Sequence, residues 1–262
     1  MVQSHIIRPN QIGSVSRDFS KGVASYAIDD LYSPSTNLAK AEVLHLVSPL
    51  HEPNPFFWFD KTKFENHGTI DGATWAISDS GKRVLSFDDV DDEVFTTVAN
   101  FRSGDSAGTI LVWFNCISGT SGCLFSSSDE AGPNANYLFL EINSSGLLVV
   151  QQRNADTNDE LRGVTDVRDD TWHLGALVSN GTAYSILIDG LDEGTLTVIG
   201  GANNGDWFAD TDLRDSFAVG TLRRATSVLM FGGKIGEVII YDKPLPSNTI
   251  RGIFLATKGG YR

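Results

Sequence analysis

His173-Leu174-Gly175-Ala176-Leu177-Val178-Ser179-Asn180-Gly181-Thr182-Ala183-Tyr184-Ser185-Ile186-Leu187-Ile188 consists of two short apolar runs around an Asn-Gly pair. Asn-Gly supplies the positive φ angles that tight hairpin turns need, because glycine lacks a Cβ and asparagine tolerates the left-handed region. Each run is too short for a stable helix and of the right length for a strand, so the stretch predicts a β-hairpin. The same reading holds on either side of it. Tyr137-Leu138-Phe139-Leu140-Glu141-Ile142 and Leu147-Leu148-Val149-Val150 flank Asn143-Ser144-Ser145-Gly146, a second hairpin. Val94-Phe95-Thr96-Thr97-Val98, Thr109-Ile110-Leu111-Val112-Trp113-Phe114, Phe217-Ala218-Val219 and Lys234-Ile235-Gly236-Glu237-Val238-Ile239-Ile240-Tyr241 read as further strands. Many short strands separated by turns mean a sandwich or a barrel. No repeat has the period of a solenoid or propeller.

Composition agrees. The 262 residues include 26 Gly and 15 Phe but only 2 Met, a bias toward turns and strands. A chain of this length can fold as one all-β domain without a metal or disulfide staple. The net charge is −13, the wrong sign for gripping a phosphate backbone, so nucleic-acid binding is not expected. No run approaches the ~18 apolar residues of a membrane span, and the first twenty residues lack the apolar core of a signal peptide. The expectation is a protein made in a cytoplasm, with no membrane partner. Cys116 and Cys123 flank Ile-Ser-Gly-Thr-Ser-Gly, read as a hairpin connection. A bridge across it is geometrically open, but two buried thiols fit a reducing compartment better.

Residues 1–52 are mixed in character, with one strand-like run at Val43-Leu44-His45-Leu46-Val47. Three prolines between Pro49 and Pro55 suggest a stiff connector. The reading is an N-terminal extension or docking arm (1–52) followed by the sandwich (53–262); edge strands added to the sandwich are the alternative for the first part. Near the C-terminus one helix is predicted. Ser247 is its candidate N-cap, Ile250, Ile253 and Phe254 share a face, and Gly259-Gly260 ends it.

Four stretches together carry a family resemblance. Asp60-Lys61-Thr62-Lys63-Phe64-Glu65-Asn66-His67-Gly68-Thr69 leads to Gly72-Ala73-Thr74-Trp75. Val84-Leu85-Ser86-Phe87-Asp88-Asp89-Val90-Asp91-Asp92-Glu93-Val94 follows, with Asp89 where the pattern has glycine. Asp170-Thr171-Trp172-His173-Leu174 precedes Tyr184-Ser185-Ile186-Leu187-Ile188-Asp189-Gly190. Phe231-Gly232-Gly233-Lys234-Ile235-Gly236-Glu237-Val238-Ile239-Ile240-Tyr241 closes the set before the helix. In this order and spacing, over about residues 56–258, the chain resembles the laminin G-like branch of the concanavalin A-like lectins and glucanases. The resemblance implies a two-sheet antiparallel jelly-roll sandwich. It also implies a Ca²⁺ at the rim, for which Asp60 and Glu237 are the candidate ligands by motif position. The alternative for Asp60 is that it caps its own turn.

Some proteins of this fold are glycosidases with carboxylates at alternate positions of one strand. Here Asp89, Asp91 and Glu93 imitate that spacing, but they fall where the resemblance places a turn, which would not align them. None of the five histidines sits in a catalytic motif. The expectation is therefore a protein that binds and does not catalyse. Three polar loops are candidate ligand contacts: 128–136, 153–160 and 203–208. In the last, Asn204, Asp206, Trp207 and Phe208 are the candidate ligand-binding residues, the rings stacking on a sugar or else tucking beneath the loop. Two roles remain. One is a structural or attachment protein of a virus particle, such as a capsid decoration or tail-associated protein of a phage, partnered by other virion proteins or copies of itself as a homo-oligomer. The other is a carbohydrate-binding module or glycosidase remnant, partnered by cell-surface glycan.

Overall fold

The computed structural model describes residues 37–49, 52–131 and 136–262. Two antiparallel sheets face each other. In the first, the order is β14 (Leu191–Asp192), β13 (Tyr184–Ile188), β12 (Trp172–Ser179), β7 (Gly108–Asn115), β17 (Gly232–Tyr241), β5 (Arg83–Asp88) and β4 (Thr74–Ile77), with β1 (Glu42–Leu46) also pairing β17. In the second, it is β15 (Thr197–Gly200), β11 (Thr157–Arg162), β10 (Leu148–Asn154), β9 (Tyr137–Ile142), β8 (Gly122–Ser128), β16 (Ser216–Val219), β6 (Glu93–Thr97), β3 (Gly68–Asp71) and β2 (Phe57–Trp58). This is an all-β sandwich, as the strand pattern predicts, of the two-sheet jelly-roll form that the family resemblance implies.

Both predicted hairpins form. Ser179 pairs with Tyr184 across the Asn-Gly turn, where Gly181 has φ of 82°. Ile142 pairs with Leu148, and Gly146 has φ of 82°. One row of alternate side chains from each sheet fills the interior. Leu138, Leu140, Val150 and Leu161 from one sheet meet Ile110, Val112, Leu177 and Ile186 from the other. The far side of the first sheet is covered by the C-terminal helix α2 (Ser247–Thr257). Its Ile250, Ile253 and Phe254 pack with Trp113, Trp172 and Tyr261, and the Trp113 and Tyr261 rings stack at 4.3 Å. The helix begins one residue from the predicted cap: Pro246 holds the N-cap position and Ser247 is already helical. Proline suits the start of a helix because it has no N–H to leave unsatisfied.

Two sequence expectations are corrected. The segment between Cys116 and Cys123 is not a hairpin, because β7 and β8 belong to different sheets and the segment crosses from one to the other. Both thiols are free and buried; burial pushes Cys116 up to about 11 and Cys123 well above the ordinary thiol value. The boundary at residue 52 also falls inside the sandwich. A short helix, α1 (Asn37–Ala41), leads into β1, and Leu46 is bridged to Asp60 while β1 pairs with β17. Val47 and Trp58 lock the same seam, the indole N–H donating to the Val47 carbonyl at 3.1 Å. Residues 42–47 thus stitch the two sheets together, as the edge-strand alternative has it. The remainder of the proposed arm, residues 1–36, lies outside the described residues.

Candidate functional site

The open face of the second sheet is the best-built surface. On β9, β10 and β11, residues alternate between the core and the outside. Leu138, Leu140, Val150 and Leu161 point inward, so their neighbours point out. The registers set these in three rows: Tyr137–Arg153–Asn158, Phe139–Gln151–Glu160 and Glu141–Val149–Arg162. At roughly 4.8 Å between strands and about 7 Å between alternate residues, the nine cover roughly 10 by 14 Å. Tyr137, Phe139 and Val149 are buried, the first two in a cluster with Leu222 and Val228, so the surface is left to the polar side chains. Glu141, Gln151, Arg153, Asn158, Glu160 and Arg162 are half-exposed around them.

Hydrogen bonds and charge define what this face can do. Gln151 Nε2 donates to Asn158 Oδ1 at 2.6 Å, which orients both amides. Among the described residues, Arg153 Nε reaches the Ala155 carbonyl, at 3.4 Å. Among the described residues, Arg162 has no hydrogen-bond or ion-pair partner. Burial, with the Glu160 carboxylate adding to it, pushes the Glu141 carboxyl up to about 7. Such a face offers donors from two guanidiniums and two amides and acceptors from two carboxyls.

Next to it, residues 221–230 cover the sheet. Leu222 and Val228 pair with each other, and both pack on Cys123, Tyr137 and Phe139. Ser126 and Ser128 donate hydroxyl hydrogens to the carbonyls of Thr221 and Arg223. Arg223 binds Glu93 and Glu130 and lies 3.7 Å from the centre of the Phe95 ring. Arg224 extends over Tyr137, 6.0 Å from its ring centre, at the border of the open rows.

The residues singled out by sequence fare differently. Trp207 and Phe208 are 0% and 1% exposed, so the stacking role is corrected: both rings lie in the sandwich core. The loop closes because Asn203 mimics a strand, taking the Tyr184 N–H and giving its own amide to the Tyr184 carbonyl. Asn204 is exposed and Asp206 half-buried, leaving polar contacts without an aromatic platform. Asp206 is raised by burial, then by Asp210 and Asp159.

The proposed calcium ligands do not suit a metal. Asp60 spends both oxygens on four donors: the N–H groups of His45, Thr62 and Asn66 and the Thr62 hydroxyl, at 2.8–3.0 Å. It caps its own turn. Glu237 is buried against Lys82 Nζ at 3.1 Å. Burial would raise it, but Lys82, with His45 and Lys61, holds it below the ordinary value. A cation would have to displace these donors and repel these charges. The glycosidase-like run turns as expected between β5 and β6, with Asp89 in the left-handed region at φ 67°. Asp91 and Asp92 fold back beside Asp88 and do not line a strand.

This architecture defines a lectin-type β-sandwich. The sequence model of the concanavalin A-like lectin/glucanases superfamily matches residues 88–251, more than half of the chain, and the chain belongs to that superfamily. No curated protein matches the sequence. Among solved structures, the Trypanosoma rangeli sialidase bound to 2,3-difluorosialic acid superposes with a TM-score of 0.60 at 17% identity, covering 84% of this chain and 33% of the sialidase. The chain thus spans about a third of that enzyme. The CBM40 of the Ruminococcus gnavus IT-sialidase, bound to α2,3-sialyllactose, gives 0.51 at 15% identity over 71% of this chain and 97% of its own. A botulinum neurotoxin type C structure, described by its dependence on two ganglioside molecules for cell entry, gives 0.60 at 13% over 84% and 52%. At these identities the likeness is one of fold.

Proposed function

We propose that the chain is a non-catalytic glycan-binding module that takes a cell-surface saccharide on the Tyr137–Arg162 face. The observation that carries this is Arg162, unpaired among the described residues, beside the ordered amides of Gln151 and Asn158. Sugar hydroxyls pair with Gln151, Asn158 and Glu160, and a carboxylate on the sugar finds the guanidiniums of Arg162 and Arg153. The sialyllactose- and ganglioside-associated neighbours support an acidic glycan as the first probe. No strand aligns the Asp89–Glu93 carboxylates, which supports a binding role over hydrolysis.

The test is a glycan array probed with the chain and with a Gln151→Ala/Arg162→Ala variant. The reading predicts a defined set of bound glycans and a loss of about tenfold or more in affinity for the variant, the equivalent of about 1.4 kcal/mol. Equal binding by both proteins would remove this face from the account.

Our finer proposal places the module on a virus particle, as a capsid decoration or tail-associated component, with residues 1–36 docking it on other virion proteins or on copies of itself. Light scattering of the full chain beside one starting at Asn37, which keeps β1, tests this. A defined oligomer that becomes monomeric on truncation supports the docking role; two monomers count against it.

A further inference from the structure

At one end of the sandwich, the turn after Asp60 and the segment joining β6 to β7 border an open cavity of about 430 Å³. That lies within the ~300–1,000 Å³ typical of small-molecule sites. Six of its residues matter: Phe64, Asn66, Asn100, Arg102, Ser103 and Asp105. None belongs to the face described above.

The frame of the cavity is hydrogen-bonded on both sides. Asp60 holds the backbone of Thr62 and Asn66. Asn100 N–H donates to the Arg214 carbonyl at 2.7 Å, and Ser103 and Asp105 N–H close on Asn100 and Arg102 at 3.0 and 2.9 Å. Asn100 and Arg102 both stand in the left-handed region, at φ 56° and 54°. Backbone strain of this kind persists where surroundings over-determine it, and it concentrates at ligand clamps. Arg102 forks onto Asp105 at 2.5 and 2.7 Å, so the charges within the cavity are closed on each other.

Against this frame, several polar groups face the solvent: Asn66 is half-buried and Asn100 and Ser103 are exposed. The side-chain amides of Asn66 and Asn100 and the Ser103 hydroxyl have no hydrogen-bond partner among the described residues. Phe64 is 41% exposed, with Lys63 and Arg102 at 5.1 and 5.5 Å from its ring centre. Unused amides and a hydroxyl around an aromatic wall, with internal charge balanced, suit a ring rich in hydroxyls and carrying no net charge. We propose that this cavity is a second carbohydrate site, for a neutral hexose or disaccharide, independent of the sheet-face site.

An amide-resolved NMR titration of the full chain with lactose, maltose, methyl α-mannoside and N-acetylglucosamine tests it. At least one sugar is expected to shift the amides of 64–66 and 100–105. Asn100→Gly tolerates the left-handed backbone and removes the amide-bearing side chain, so it and Asn66→Ala should each weaken that titration by about tenfold. Gln151→Ala/Arg162→Ala should leave it unchanged. The proposal is overturned if none of the four sugars moves these amides, if shifts occur only between 137 and 162, or if Asn100→Gly titrates like the parent. Failure of the sheet-face reading would show separately, as glycan binding unaffected by the Gln151→Ala/Arg162→Ala change.

Discussion

Replacing Glu141 by glutamine should stabilise the protein, and only above neutral pH in full. In the folded chain this carboxyl titrates at about 7, against an ordinary 4.5, chiefly because burial disfavours its charged form, with Glu160 adding repulsion. The folded state therefore holds a proton that the unfolded state has released. The resulting penalty is absent below pH about 4.5, grows as the pH rises, and is complete above about 7. At 1.36 kcal/mol per pH unit the gap converts to about 3 kcal/mol as a ceiling. Partial exposure of the side chain reduces the expected figure to about 1–2 kcal/mol. The glutamine side chain has no charge to desolvate and keeps nearly the same shape. Urea unfolding of both proteins between pH 5.5 and 8.5 should show the curves diverging as pH rises, with the glutamine variant more stable at pH 8.5. A difference that does not change with pH, or a parent more stable than the variant at pH 8.5, would show that burial of the Glu141 charge does not cost stability.

Arg214 is buried, and burial holds it down to about 10; it donates to the carbonyls of Phe101, Phe208 and Thr211 and to the Ser127 hydroxyl. Arg214→Met strands those acceptors and should cost about 3–5 kcal/mol in a urea titration; a loss under about 1 kcal/mol would mean that water replaces the guanidinium. His173 sits between Asp189 and Asp169, and Arg262 also binds Asp189 at 2.7 Å. Burial would lower its pKa, but the bonds and charges of Asp189 and Asp169 outweigh that and raise it above 6.5. This clamp on the C-terminus therefore contributes fully at low pH and fades as the pH rises through the raised value. The imidazole should titrate above 6.5 by NMR and move down in Asp189→Asn; an unchanged midpoint would count against the clamp. Trp207→Ala should destabilise the fold by about 3–5 kcal/mol without altering glycan affinity on the sheet face, whereas selective loss of binding would restore the stacking role.

The strands with clean apolar runs and recognisable turns could be read from sequence, as at Asn180-Gly181, because local chemistry and the global fold agree there. Several strands could not, and two of them show why. Gly122–Ser128 carries three consecutive serines, which look like a loop; only the covering segment 221–230 and the neighbouring β16 supply the carbonyls that make their burial tolerable. Thr157–Arg162 is polar because its outward residues meet solvent. Residues 153–160 were legible as a ligand-contact candidate but as a loop, and the structure turns them into a hairpin on the open face. The opposite error occurs at Trp207, which has the setting of an exposed loop. Gly108 leaves the space its indole fills, since a Cβ there would lie 2.6 Å from the indole nitrogen. That space is 99 residues away in sequence and has no local signal. Nor does the unpaired state of Arg162, which depends on where Glu141 and Glu160 come to rest.

A crystal structure of the full chain soaked with 3′-sialyllactose would show whether the sheet face holds sugar. The account predicts the sugar on the outer face of β9, β10 and β11, its carboxylate within hydrogen-bond distance of Arg162 or Arg153 and its hydroxyls on Gln151 and Asn158. Sugar bound elsewhere with that face bare would contradict it.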